Sequence, residues 1–121
     1  MRPELRRIVA VAAHRSVTGR YPVRIHSLGT GETSDIKEAD GGFLDMASGF
    51  NVRIDGGTIT VPSLQATVDL RFSSDVGFDG YDHSSGEPFT GRAGGGVSVT
   101  LYDRGQSNYF QYAVAGEDDR I

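Results

Sequence analysis

The sequence predicts an α+β fold that is mainly β. An N-terminal amphipathic helix precedes an antiparallel meander of about eight short strands, which forms a sandwich or barrel-like body. Three observations carry this expectation. The apolar spacing has a period near 3.6 in the first 19 residues and switches to two after Pro22. Gly is abundant, at 17 of 121 residues, while Pro is scarce at 4, a balance that suits many tight turns. No strand–helix–strand rhythm recurs, which argues against a parallel nucleotide-binding sheet.

The helix is expected over residues 1–19. Pro3 suits a first helical turn and Glu4 lies near the positive end of the helix dipole. Leu5, Ile8, Val9 and Ala12 repeat along one face, whereas Arg2, Arg6 and Arg7 fall away from it. Gly19 followed by Tyr21-Pro22 stops the helix. So narrow an apolar stripe predicts a helix lying across a sheet.

The β-body is expected over residues 22–114. Phe50, Val52 and Ile54 alternate with polar neighbours, residues 55–57 (Asp-Gly-Gly) make a tight turn, and residues 58–61 return. Leu64, Ala66, Val68, Leu70 and Phe72 share one face of the cleanest strand. Val97, Val99 and Leu101 form another set, and Phe110, Tyr112 and Val114 a third. Further strands are expected near 23–28, 33–38, 42–47, 76–82 and 88–93. A charged tail, residues 115–121, completes a single domain spanning 1–121. An exposed sheet edge in such a body would favour self-association.

Three stretches resemble one another: residues 24–36, 79–91 and 100–112. The last two are closest, with Tyr81-Asp82 matching Tyr102-Asp103 and Phe89 matching Phe110. The physical reading is a repeated hairpin. An Asp or Ser at the turn entrance accepts hydrogen bonds from N–H groups two residues on, and Gly supplies positive φ.

Charge is divided unevenly along the chain. Residues 1–24 hold six Arg and one Glu, or +5; the remainder holds six basic and fifteen acidic residues, or −9, giving a net −4. Such a basic head either packs against its own acidic body or meets an acidic partner, with Arg6 and Arg7 as its contacts. The acidic body and the lack of interleaved aromatic and basic residues argue against nucleic acid. Without Cys there is no disulfide framework, thiolate zinc site or Cys nucleophile. The apolar run at residues 8–13 is shorter than the roughly 7–15 residues of a signal-peptide core. No run approaches the ~20 apolar residues of a membrane-spanning helix. A soluble cytoplasmic protein is therefore expected.

Residues 78–89 look most like a site. Asp75, Asp79, Asp82 and Glu87 could gather around a hard cation. Against a helix-flanked calcium loop, Asp75, Asp79 and Gly80 match positions one, five and six, but Gly77 and Gly86 stand where ligands are required. His83 with Asp79 or Asp82 and Ser84 or Ser85 has the ingredients of a hydrolytic triad, yet strand neighbours point to opposite faces. His14, His26 and His83 have no metal-ligand spacing. The glycines of residues 91–97 fit no phosphate-loop pattern and suit a turn or bulge.

Tyr81, Tyr102, Tyr109 and Tyr112 are the other candidates. Exposed on one face, they would contact a ligand or partner; buried, they would be cross-strand packing. Phe110 and Tyr112 face one way and Tyr109 the other, so at least one ring meets solvent. The sequence thus favours a non-enzymatic binding or protein-interaction module, with a protein partner or a second copy of the chain and no cofactor. The alternatives are a ligand- or calcium-binding accessory domain using residues 75–87 and, behind it, a small acid/base hydrolase.

Overall fold

The computed structural model of the protein describes residues 1–94 and 97–116. The helix α1 runs Pro3–Thr18. Ten strands follow: β1 Arg24–Ser27, β2 Thr33–Ala39, β3 Gly42–Asp45, β4 Phe50–Asp55, β5 Thr58–Val61, β6 Ala66–Phe72, β7 Gly77–Asp82, β8 Glu87–Arg92, β9 Ser98–Asp103 and β10 Asn108–Ala115. Each pairs antiparallel with the next. β1 also pairs with β10, Arg24 opposite Ala115, which closes the sheet into a barrel. The strand number is ten where about eight were expected, because the short β1, β3 and β5 each fill a place in the wall. Closure leaves no sheet edge, so the expected route to self-association through an edge is removed.

The helix does not lie across a sheet. All residues from 5 to 14 are buried, nearly three turns with no solvent-facing side. Only a surrounding wall does this, so α1 fills the barrel lumen. The stripe reading missed that Ala10, Val11 and Ala13 make the second face apolar and narrow as well, each fully buried. A helix of small side chains fits within a ten-stranded wall, whose interior is wider than that of the eight-stranded barrels that side chains alone can fill. Thr18 ends the helix, Gly19 takes the left-handed conformation, and its N–H donates to the Arg15 carbonyl at 2.9 Å.

The wall alternates as period-two strands require. Ile25, Phe43, Val52, Ile59, Val68, Val99 and Leu101 point inward and are buried. Leu64 belongs to a 3₁₀ turn, Pro62–Leu64, and Val97 stands in an exposed turn, so these two leave the alternating sets expected for them. Gly80 and Gly91 are inward positions where backbone must lie close to a ring. A Cβ at Gly91 would sit 2.3 Å from the Phe78 ring, and one at Gly80 2.3 Å from the Phe89 ring. Gly91 is thus a strand residue packed beneath an aromatic side chain. Residues 95–96 of the glycine-rich stretch, and tail residues 117–121, lie outside the described residues.

The repeated hairpin extends further than the sequence suggested. Five four-residue turns stand at one end of the barrel, at residues 28–31, 46–49, 62–65, 83–86 and 104–107. The fourth residue of each has positive φ: Gly31, Gly49, Gln65, Gly86 and Ser107. An inward residue precedes each turn: Ser27, Asp45, Val61, Asp82 and Asp103. In three turns the fourth-residue N–H donates back to the preceding inward residue's carbonyl, as from Gly86 to Asp82 at 2.8 Å.

Outward positions include Asp35, Lys37, Arg53, Asp69 and Arg71, all exposed, over an interior that is largely apolar away from the turn-bearing end. This polarity is the reverse of a membrane-spanning barrel. Among the described residues, no helix is long and apolar enough to cross a membrane.

Candidate functional site

Two regions concentrate the chemistry, one inside the turn-bearing end and one on the outer wall. Inside, the inward Asp45 and Asp103 are fully buried and flank the first turns of α1. Arg7 donates to both oxygens of Asp45, and Ser34 and Ser48 donate to the same carboxylate. Burial alone pushes the Asp45 carboxyl up. The donors and the Arg7 charge outweigh it and hold the group below its ordinary value. Burial likewise works against the Arg7 charge, but Asp45 outweighs it and raises that pKa. Asp103 meets the Met1 ammonium at 3.1 Å and Arg6 at 3.3 Å. The Arg6 guanidinium lies 3.8 Å over the Phe110 ring, and its Nε has no hydrogen-bond partner among the described residues.

Arg6 and Arg7, expected as partner contacts, are therefore inside the barrel. The uneven charge of the sequence is matched within the chain, basic helix to acidic lumen. Tyr112 is also inside, buried beside Arg6, and its hydroxyl pKa is raised by burial. Its alternation partner Tyr109 points out, as the sequence predicts.

The acidic stretch is dispersed by strand geometry. Asp75 lies in the turn between β6 and β7, at the opposite end of the barrel from Asp82. Asp79 points outward and pairs with Arg71 at 3.1 Å. Asp82 points inward, accepting from the Ser84 N–H at 3.0 Å and from the Ser84 and Ser85 hydroxyls at 2.6 and 2.7 Å. Glu87 reaches the Met1 ammonium at 3.3 Å. The four carboxylates expected to share a cation are thus drawn to three different places. Among the described residues, no three His, Asp or Glu side chains gather as a metal site. The Asp82 bonds are what the turn requires, an Asx turn closing on Gly86.

No triad assembles. His83 points outward with its Nε2 2.7 Å from Asp69, while both serines of its turn are committed to Asp82. His14 is buried in α1, where burial lowers its pKa, and His26 lies on β1 beside Thr33 at 2.7 Å. A cleft of about 460 Å³ opens at the turn-bearing end beside the start of α1, lined by Leu5, Leu64, Asp82 and Ser85 among others. Of its polar lining, Asp82, Ser84 and Ser85 are bonded to one another within their own turn.

The outer wall of β8–β10 is different in kind. Its outward residues are Pro88, Thr90 and Arg92 on β8, Ser98, Thr100 and Tyr102 on β9, and Tyr109, Gln111 and Ala113 on β10. None is a carboxylate. The outward carboxylates Asp35, Asp55, Asp69 and Asp79 all stand on β2–β7. Cross-strand register places Tyr102 between Thr90 and Tyr109. The two tyrosine rings pack at a tilt of 54° with centroids 4.7 Å apart; Tyr109 is 67% exposed and Tyr102 is half-buried. Tyr81, on neighbouring β7, is exposed on the same outer side, 4.9 Å from the His83 ring.

The sequence reading counts Tyr81, Tyr102 and Tyr109 among its candidates, and the structure places all three on the outer side of the barrel; it does not single out Asp45 or the interior position of Asp103. The signal lay in the recurring spacing: Asp45 precedes Gly49 as Asp82 precedes Gly86. No protein-family model matches the chain, and no curated protein or solved structure matches it significantly.

Proposed function

We propose that this chain is a non-enzymatic binding module that recognises a protein partner through the outer wall of β8–β10. One observation supports the reading above others: a packed tyrosine pair, Tyr109 largely exposed and Tyr102 half-buried, stands on a wall of hydroxyl and amide side chains without outward carboxylates. Rigid rings supply contact area at low entropic cost, and Ser, Thr and Gln supply adaptable hydrogen bonds, the mixture that recurs in recognition surfaces. The interior is occupied by the chain itself: α1 fills the lumen, and its Arg6 and Arg7 pair with the buried Asp103 and Asp45.

The test is selection of a random peptide-display library on the immobilised chain. The recovered peptides are then measured against the Tyr102→Ser/Tyr109→Ser variant. Binding at least about tenfold weaker to the variant supports the reading, a loss comparable to one interface hot spot. Equal binding to both proteins, or no enrichment at all, overturns it.

A further inference from the structure

Resting on that reading of the wall, we infer that its partner is a short, extended, acidic segment, with two carboxylates spaced to meet Arg92 and Arg104. Size sets the length. Three strands about 4.8 Å apart and six residues at about 3.3 Å each span roughly 15 by 20 Å. That strip falls well below the ~800 Å² each partner contributes to a standard folded–folded interface. A single extended strand of five or six residues covers it. The closed sheet offers no edge, so such a segment is held by side chains and not by strand addition.

Charge sets the composition. Arg92 ends β8 and Arg104 begins the turn after β9; both are exposed and form no ion pair among the described residues. Asp103 stands opposite Phe89, so Arg104 lies level with the Pro88 end of β8, four residues from Arg92. That separation is about 13 Å along the strands. The Tyr102–Tyr109 pair stands between the two cations, in register with Thr90. An extended segment with acidic residues four apart would place one carboxylate at each guanidinium and lay the intervening side chains on the rings. The rest of the surface, on a chain of net charge −4, repels such a segment and so favours this wall.

The experiment is an amide-resolved NMR titration of the full chain with three synthetic octapeptides. The first carries Glu at its second and sixth positions and Phe at its fourth; the others carry Gln or Lys in place of Glu. The Glu peptide is expected to shift amides at residues 88–92 and 98–111. Its affinity should fall about tenfold in the Arg92→Gln/Arg104→Gln variant and fall again at high salt. If the Gln or Lys peptide binds the same amides as tightly, the acidic assignment is overturned while the wall remains the recognition surface. If none of the three moves those amides, the inference is overturned. The library selection, which assumes no charge, decides the wall separately.

Discussion

The inner end of the lumen and the outer wall of β8–β10 both carry Arg and aromatic side chains, yet they spend them differently. Inside, Arg7 is held by Asp45, and Arg6 by Asp103 and Phe110, with both ion pairs buried. Outside, Arg92 and Arg104 stand without ion pairs among the described residues, and Tyr109 is open to solvent. Charge that is buried costs the fold several kcal/mol when it is left unmatched. Charge and rings left exposed are free to be matched by something else. Residue type did not separate the two regions; strand phase did.

If that contrast is right, breaking the inner region should cost stability and spare the outer surface. The largest effect is expected for Asp45→Ala, which leaves the buried Arg7 with only the exposed Glu32, 3.4 Å away, in place of its buried carboxylate. A loss of about 3–5 kcal/mol should appear as a lower denaturation midpoint. Next is Gly91→Ala, whose Cβ would collide with the Phe78 ring and the Thr100 carbonyl. About 1–3 kcal/mol is expected by the same measurement. Gly86→Ala forces a side chain to φ +72° in the turn and should cost about 1 kcal/mol, without altering the peptide binding of the outer wall.

The dependence on pH sharpens the same boundary. His14 is kept neutral by burial, below its ordinary value of 6.5. Above pH 6.5 it contributes no slope. Below that pH the unfolded chain binds a proton that the folded chain refuses, so stability falls on acidification. His14→Gln should flatten that part of the profile. Asp45, held below its ordinary 3.8, contributes stability that is full above pH 3.8 and lost as the pH falls further. Its loss is a second, more acidic stage in a thermal-melt series. A comparably small effect on stability, about 0.5–1.5 kcal/mol, is expected for Tyr102→Ser/Tyr109→Ser, which removes one aromatic pair from the outer wall. That variant should nonetheless lose peptide binding.

Much of this architecture is legible in the sequence. Period-two spacing placed Val52, Val68, Leu101 and Tyr112 on a common phase, and the structure turns that phase inward. The Asp82 turn was readable as a hairpin because an Asx turn and a positive-φ Gly leave a local signature. The position of α1 was not readable, because a stripe count weighs Leu5 and Ile8 heavily and Ala10 and Ala13 hardly at all. Small residues are what a lumen admits, and their role depends on a wall built from the other end of the chain. Arg6 and Arg7 were misplaced for the same reason: their partners Asp103 and Asp45 are distant in sequence, and no local spacing announces them. The acidic stretch suggested convergence because four carboxylates lie close in sequence, whereas alternation sends Asp79 outward and Asp82 inward.

The central claim is that recognition belongs to the outer wall and not to the helix-filled end of the barrel. An amide chemical-shift map of the full chain, bound to the strongest peptide from the library selection, tests it most directly. Shifts are expected on β8–β10, spreading at most to Tyr81. Shifts concentrated at residues 64–66 and 82–86, around the cleft beside the start of α1, would contradict it.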